Sequence, residues 1–384
     1  MFRRKWSLLS GHKPDYWIIG VLFFLVLGGF FFLASASSDL AKIKYDDTYL
    51  FLKNQFLKGF LPGIVGFLMT YFIYYRRWKK IIPLVFFTSL ILLAAVFTPL
   101  GYQSHGSFRW VEIGPISFQP SEILKITFIL YLAVLLSSSQ VRSLKGGWKT
   151  YGLFVFVSII VGGLIFFQPA TTTAVIILGA GVIVYFFSGA SWKQILLTVL
   201  IGLLAIALLA FVTPYRFSRI APYWNTIAQN ISPSLVIKDV QPDSFHLEQS
   251  LIAIGTGGLW GVGFGKSTGK YNVLPEPMGD SIFAVIAEEF GFLGVSLVIL
   301  AYLILFWRGT TLIKRSHDDF AKLCLLGFVS VISLQAIVHI AANSGLLPFT
   351  GVPLPLISYG GTSFAVTLTM MGMIANISRY TSMI

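Results

Sequence analysis

The stretch IIGVLFFLVLGGFFFLASA, residues 18–36, contains no charged residue. Two further stretches, residues 81–97 and 195–212, are equally free of charge. Each is long enough to cross a hydrocarbon core of about 30 Å as an α-helix. These runs therefore predict membrane-spanning helices, and they decide the fold class.

The composition of the whole chain supports a membrane protein. Of its 384 residues, 56% are hydrophobic and 11% are charged, which is too few charges to cover a soluble protein of this length. The net charge of +13 does not indicate a nucleic-acid partner, because the basic residues lie in short clusters between apolar runs and not in one patch. Cys324 is the only cysteine, so an intrachain disulfide is excluded.

Hydropathy predicts an all-α polytopic membrane protein with about ten transmembrane helices. The predicted spans are residues 17–36, 57–75, 81–98, 121–138, 151–168, 171–188, 195–213, 282–306, 321–342 and 362–380. Lysine and arginine collect in the N-terminal tail and in alternate connections. By the positive-inside rule, this pattern predicts that both termini are cytoplasmic.

The longest connection, residues 214–281, lies between predicted helices 7 and 8 on the extracytoplasmic side. A long ordered loop in a compact protein is usually functional or binds a partner. Leu247, Leu251 and Ile254 recur at helical spacing, which predicts a short amphipathic helix that ends near Gly255. No soluble domain is visible, so residues 1–384 are predicted to form a single transmembrane domain.

The end of this loop, LPEPMGDSIFA at residues 274–284, is a stiff approach to the next helix because it contains two prolines and a glycine. It places Asp280 at or near the helix N-cap. Asp280 can be a simple cap, worth about 1 kcal/mol, or a carboxylate that faces a cavity, and the two roles are compatible. Glu288 and Glu289 lie two turns further in, where a carboxylate is costly. At least one of them is predicted to face a polar cavity or a partner.

Residues 106–114 and 118–125 contain a second group of polar side chains, Arg109, Glu122 and Lys125. Glu122 and Lys125 are three residues apart, so they share a helix face and can pair. Either they form an interfacial ion pair of modest value, or they line a polar cleft that opens outward.

Residues 343–363 form an uncharged segment rich in proline and glycine. Such a segment is predicted to be re-entrant or tightly packed, because irregular backbone at membrane depth is tolerated only inside protein. His339, alone on an apolar helix, is predicted to be a hydrogen-bonded core histidine and not a metal ligand.

Together these segments resemble the SEDS family of peptidoglycan polymerases, which includes FtsW and RodA. The resemblance covers nearly the whole chain and is most specific in residues 109–125, 249–259, 274–289 and 353–363. The ending at residues 357–363 is more similar to FtsW than to RodA. The resemblance implies a bacterial inner-membrane glycosyltransferase that acts on lipid II and makes β-1,4-linked glycan during cell division or elongation. The implied partners are a class B penicillin-binding protein that crosslinks the glycan and other membrane proteins of division or elongation.

The resemblance also implies roles for individual residues. The family's essential aspartate aligns with Asp280, the expected catalytic residue, although the usual His-Thr-Asp-Phe is replaced here by Met278-Gly279-Asp280-Ser281. The expected substrate-binding residues are Arg109, Glu122, Lys125, Arg219, Gln249, Lys270, Glu289 and Ser358. No organic cofactor is expected. A divalent cation, Mg or Mn, can neutralise the leaving group, although no ligand cluster in the sequence requires one.

Two departures from the family pattern stand out. Gln168-Pro169-Ala170 replaces the common Gln-Pro-Asp, so a second pocket carboxylate is missing. His339 lies where asparagine is expected. The chain is therefore expected to be either a divergent active polymerase or one with altered substrate handling.

The expected reaction is direct inversion, since an α-linked donor gives a β-linked product. One carboxylate would act as general base on a sugar 4-hydroxyl, and Arg109 and Arg219 are favoured for binding the pyrophosphate. Two alternatives remain open at this point. A lipid flippase predicts that Asp280→Ala spares function. A non-catalytic division scaffold predicts tolerance at Asp280 and Arg109 but sensitivity in residues 214–281.

Overall fold

The computed structural model of this protein describes residues 12–104, 107–114, 116–138, 147–168, 170–212, 244–270, 274 and 276–381. The described residues form a bundle of long apolar helices. The helices are α1 (Tyr16–Tyr45), α2 (Leu50–Gln55), α3 (Leu61–Phe72), α4 (Ile82–Ala95), α5 (Pro120–Leu136), α6 (Trp148–Phe167), α7 (Thr171–Phe187), α8 (Trp192–Val212), α9 (Ser244–Gly257), α10 (Ile282–Arg315), α11 (Asp319–Asn343) and α12 (Gly361–Tyr380).

All ten predicted spans coincide with helices, so the prediction of an all-α polytopic membrane fold is confirmed. The second span begins earlier than its predicted start at residue 57, because α2 continues through a π-helical turn at Phe56–Phe60 into α3. By length and apolar composition alone, α1, α6, α10 and α11 are each sufficient to cross a membrane.

Helix α1 is longer than predicted. The apolar run ends at residue 36, but the helix continues to Tyr45 because a helix does not need to stop where its side chains become polar. At the other end, the Asp15 carboxylate accepts hydrogen bonds from the backbone N–H groups of Trp17 and Ile18 and so caps the helix.

A small antiparallel sheet, which the sequence did not predict, lies between α4 and α5. Its strands are β1 (Gly101–Ser104), β2 (Ser107–Ile113) and β3 (Ile116–Phe118), in the order β1-β2-β3. In the register of the sheet, Val111 lies opposite Gly101 on one side and Phe118 on the other. The sheet therefore fixes the segment that contains Arg109 directly before α5.

The two ends of the bundle are held by different polar contacts. At the end that carries Asp15, hereafter the Asp15 end, Arg308 Nε lies 3.0 Å from the Asp15 carboxylate and Arg76 Nε lies 2.9 Å from Asp318. The opposite end, which carries Asp280, is hereafter the Asp280 end. Because the membrane-spanning helices traverse the bundle, residues that are distant in sequence meet at both ends.

Helix α10 is interrupted at Gly291, whose backbone adopts φ 63° and ψ −163°. Residues 258–263, the first part of the loop after α9, fill the break. Val262 N–H donates to the Glu288 carbonyl at 2.9 Å, and Phe292 N–H donates to the Gly258 carbonyl at 2.8 Å. These bonds satisfy backbone groups that the break would otherwise leave without partners inside the bundle. A side chain at Gly291 would collide with this loop, because an added Cβ would lie 2.5 Å from the Gly261 nitrogen.

The segment between α11 and α12, residues 344–360, enters the bundle and returns to the same end. Its Leu356 carbonyl packs directly on Gly29, in the middle of α1, where there is no room for a side chain. Leu354, Leu356 and Ile357 are buried. The prediction that this segment is re-entrant is therefore confirmed, and it positions the residues around Asp280.

Candidate active site

Asp280 lies at the end of a rigid turn, residues 276–281, and is half-buried. Three successive carbonyl oxygens of this turn each accept a hydrogen bond from the end of α11 or from the re-entrant segment. The pairs are Met278 with Tyr359 N–H at 2.8 Å, Gly279 with Ser358 Oγ at 2.8 Å, and Asp280 with Asn343 Nδ2 at 3.0 Å. The backbone of Asp280 is therefore fixed from both sides.

The Asp280 carboxylate lies against Gly351 of the re-entrant segment. An added Cβ at Gly351 would be 3.0 Å from Asp280 Oδ2, so the two residues are in close contact. Ser281, not Asp280, is the N-cap residue of α10. Asp280 thus lies one residue before the cap, near the predicted position, and its carboxylate is directed towards the re-entrant segment.

Ser358 holds the re-entrant segment to the turn. Its Oγ donates to the Gly279 carbonyl and accepts a hydrogen bond from Leu354 N–H at 2.8 Å. The side chain is buried. Its predicted contact with substrate stays a prediction, while its contacts in the structure position the turn that carries Asp280.

Glu289 and Lys270 belong to a buried cluster at the Asp280 end. Ser35 Oγ lies 2.6 Å and 2.7 Å from the two oxygens of Glu289. Lys270 Nζ lies 3.4 Å from Glu289 Oε1 and 3.4 Å from Asp39 Oδ2. The cluster therefore joins α1, α10 and the loop after α9 through opposite charges.

Glu288 faces the loop after α9. Its carboxylate accepts hydrogen bonds from Ser267 Oγ at 2.5 Å, Thr268 N–H at 2.8 Å and Gly269 N–H at 3.3 Å. The prediction that at least one of the two deep carboxylates has a partner is confirmed, since both do.

Glu122 and Lys125 form the predicted pair, with Lys125 Nζ 2.7 Å from Glu122 Oε1. The pair is not interfacial, because the Lys125 and Glu122 side chains are 1% and 4% exposed. Gln335 of α11 completes the cluster: its Oε1 lies 2.8 Å from Lys125 Nζ, and its Nε2 donates to the Pro353 carbonyl at 2.8 Å. The pair therefore lies behind the re-entrant segment, and its role in binding substrate stays a prediction.

Arg109 lies on β2 and is half-buried. Its Nε donates to the Gln168 carbonyl at 3.2 Å. Gln168 is itself fixed by donating its Nε2 to the Leu93 carbonyl at 3.0 Å. Arg109 is therefore held at the C-terminal end of α6, at the Asp280 end.

Two of the predicted substrate-binding residues, Gln249 and Arg219, are not connected to Asp280 by the contacts described above. Gln249 lies half-buried on α9, which packs on α10. Arg219 lies outside the described residues. Their predicted roles remain predictions.

The cavity described below lies away from Asp280, and no metal-ligand cluster is present in the described part of the chain. Within it, no group of three or more His, Cys, Asp or Glu side chains is arranged to hold a metal ion, so we derive no step through a cation. A cavity of about 370 Å³ lies between α1 and α10, towards the Asp15 end, and its lining is apolar apart from Tyr16. It is remote from Asp280 and offers no acid or base.

One feature of this site, a polar stripe on α11, is not predicted above. Gln335, His339 and Asn343 recur at a spacing of four residues within an apolar span, so they share one helix face. All three are buried. That spacing was the signal, and only His339 was considered.

Comparisons with known proteins match nearly the whole chain. A family model described as "Cell cycle protein", which names FtsW, RodA and SpoVE, matches residues 16–383. Stage V sporulation protein E of Bacillus subtilis (strain 168) is 33% identical over 96% of this chain and 98% of its own length. A protein of Geobacter sp. (strain M18), named probable peptidoglycan glycosyltransferase FtsW, is 33% identical over 90% of this chain and 91% of its own.

Solved structures resemble the chain over nearly its full length. The crystal structure of Thermus thermophilus rod shape determining protein RodA has a TM-score of 0.69 at 27% identity, and it covers 95% of this chain and 97% of that one. A chain from a study of polymerization and crosslinking by a peptidoglycan synthase complex has a TM-score of 0.73 at 25% identity, with coverages of 95% and 98%.

Proposed function

This chain belongs to the FtsW/RodA/SpoVE family of cell cycle proteins, and from that premise we propose that its peptidoglycan glycosyltransferase activity uses Asp280 as the general base. The observation that carries the proposal is the fixation of three successive carbonyls around Asp280. A general base must lie within hydrogen-bond reach of the proton that it removes. A carboxylate on a rigid turn meets that demand without reorganisation during the reaction.

The proposed substrate is lipid II, whose disaccharide is linked to a polyprenyl pyrophosphate. The acceptor 4-hydroxyl oxygen attacks the anomeric carbon of the donor, and its proton passes to the Asp280 carboxylate. The bond between the anomeric carbon and the pyrophosphate oxygen breaks, and the lipid pyrophosphate leaves with both electrons. Inversion of an α-linked donor gives the β-1,4 linkage.

Arg109 is the proposed contact for the pyrophosphate. Its guanidinium suits bidentate binding of phosphate, and β2 together with the Gln168 carbonyl holds it at the Asp280 end. Lys125 and Lys270 are less suited, because each is buried and paired with a carboxylate. We propose that these two lysines position the surrounding helices and loop.

The proposed orientation places the Asp280 end outside the cytoplasm and both termini inside it. The basic residues support this orientation, since Arg76, Arg308 and Arg315 all lie at the Asp15 end or its connections. The chain is a multi-pass protein of the bacterial inner membrane. A class B penicillin-binding protein is the proposed partner, supported by the similar chain from a complex that couples polymerization with crosslinking.

Polymerisation of purified lipid II tests the proposal. Wild type, Asp280→Asn and Asp47→Asn are compared in detergent, with and without a class B penicillin-binding protein and with Mg or Mn. Asp47 is a matched control, because it is an exposed acid at the same end and pairs only weakly with the exposed Lys53.

Glycan ladders are expected from wild type and from Asp47→Asn, but not from Asp280→Asn. Ladders from Asp280→Asn at the wild-type rate would remove Asp280 from the mechanism. An inactive wild type that moves lipid II across vesicles would favour a flippase, and one that does neither would favour a scaffold.

A further inference from the structure

The polar stripe on α11 contacts the backbone of Asp280 and the backbone of the re-entrant segment. Gln335 Nε2 donates to the Pro353 carbonyl at 2.8 Å, and Asn343 Nδ2 donates to the Asp280 carbonyl at 3.0 Å. Between them, His339 Nδ1 lies 2.7 Å from the Val352 carbonyl. One helix face thus holds the Asp280 turn and the re-entrant segment that it contacts.

The tautomer of His339 follows from this contact. A carbonyl oxygen can only accept a hydrogen bond, so Nδ1 must carry the proton. Nε2 is buried and makes no hydrogen bond with any residue in the described part of the chain. A second proton on Nε2 would leave a buried charge without a partner, so Nε2 presents a lone pair and His339 is a neutral donor that is directed at one carbonyl.

Val352 is the neighbour of Gly351, against which the Asp280 carboxylate packs. A shift of Val352 would be transmitted through one peptide unit to Gly351 and from there to Asp280 Oδ2, only 3.0 Å from an added Cβ. His339 itself is 0% exposed, so it cannot touch a substrate.

We propose that His339 is a positioning residue for Asp280, which acts by fixing the Val352 carbonyl through its Nδ1–H. The inference rests on the proposed role of Asp280 as general base. His339, at a position where the resembling family is expected to carry asparagine, thus sets the position of the Asp280 carboxylate.

Three substitutions separate the two nitrogens of the imidazole. His339→Asn keeps an amide donor near the position of Nδ1 and removes Nε2. His339→Gln moves the amide towards the position of Nε2 and withdraws the donor from Val352. His339→Leu removes both.

The measurement is the rate of polymerisation of purified lipid II by each full-length variant, with kcat and KM determined separately. His339→Asn is expected to keep kcat within about threefold. His339→Gln and His339→Leu are expected to lose about 10-fold to 100-fold in kcat, because a displacement approaching 1 Å at a catalytic group can cost about 10²-fold. KM should not change, since the residue does not contact substrate.

Folding is checked by elution profile and thermal unfolding. If His339→Leu does not fold, the order of His339→Asn above His339→Gln still decides. Equal activity of these two variants, a change confined to KM, or loss of folding in all three would overturn the proposal, because the contact would then serve substrate access or bundle stability.

Asp280→Asn is measured in parallel. If it remains active, the assignment of the base has failed. If it is inactive while His339→Gln keeps the wild-type kcat, only the role of His339 has failed.

Discussion

Removing one member of the buried Glu122–Lys125 pair should destabilise the bundle far more than removing both charges. The Lys125→Met variant leaves the Glu122 carboxylate 4% exposed and without its ammonium partner at 2.7 Å. Loss of one partner of a buried pair costs about 3–5 kcal/mol of unfolding free energy.

The double variant Glu122→Gln/Lys125→Met has no charged side chain left at this site. Its main penalty is Gln335 Oε1, which loses the Lys125 donor at 2.8 Å. An unsatisfied buried acceptor costs about 1–3 kcal/mol, so the double variant should be more stable than Lys125→Met alone. Two substitutions usually destabilise a protein more than one, so a double variant that is more stable than the single variant is the critical expectation.

The assay is reversible unfolding in mixed detergent micelles, read by the near-ultraviolet signal. Lys53→Met is the matched control, because the Lys53–Asp47 pair has a similar separation of 2.8 Å but side chains 60% and 36% exposed. Loss of such a pair costs about 0–1 kcal/mol. The reasoning is refuted if Lys125→Met is as stable as Lys53→Met, or if the double variant is the least stable of all.

Two other predictions concern the two ends of the bundle. Gly351→Ala should lower kcat about 10-fold with little change in folding, because its Cβ would press on Asp280 Oδ2 from 3.0 Å. Gly163→Ala, whose Cβ would have no neighbour within 4 Å, is the control, and equal polymerisation rates would contradict the prediction. At the other end, burial raises the pKa of Asp318, but the hydrogen bonds from Arg76 and Tyr75 outweigh it and hold the pKa below the ordinary 3.8. The stability that Asp318 contributes is therefore present above about pH 4 and is lost as pH falls through the lowered pKa. The free energy of unfolding between pH 6 and pH 2 should therefore depend less on pH in Asp318→Asn than in wild type. Identical pH curves for the two proteins would contradict this prediction.

Hydropathy predicted the helices well because a membrane imposes one requirement on every span. An apolar run long enough to cross must satisfy its own backbone, and a helix does so. The spans at 171–188 and 362–380 agree closely with α7 and α12. The predicted helix boundaries were wrong where this requirement no longer applies, as in the polar extension of α1 to Tyr45.

The break in α10 could not be predicted by the same reasoning. Hydropathy reports which residues enter lipid but not where backbone hydrogen bonds are exchanged between segments. Gly291 gave only a weak signal, since a single glycine inside a helical run is tolerated at about 1 kcal/mol. The partner that stabilises the break, residues 258–263, comes from a loop whose position depends on the whole fold.

The sequence identified the charged residues of the site but not the contacts that they make with one another. Sequence spacing predicted that Glu122 and Lys125 pair, whereas their burial depends on Gln335, which comes from a distant helix. Residues 270 and 289 were each expected to bind substrate, yet in the structure Lys270 and Glu289 bind one another. Pairing between distant segments is a tertiary property that no local pattern encodes.

These pairings bear on how a site for a charged lipid can exist in an apolar bundle. An unpaired lysine or glutamate at membrane depth is costly, so Lys125, Lys270, Glu122 and Glu289 are present as neutral pairs. Together with Gln335 and Ser35, these pairs connect neighbouring segments of the bundle, but they offer little net charge to a pyrophosphate. On the proposed mechanism, positive charge for the substrate comes from Arg109, which is half-buried on its small sheet and keeps part of its hydration. We therefore propose that fully buried charges hold the structure together, whereas partly exposed charges take part in the chemistry.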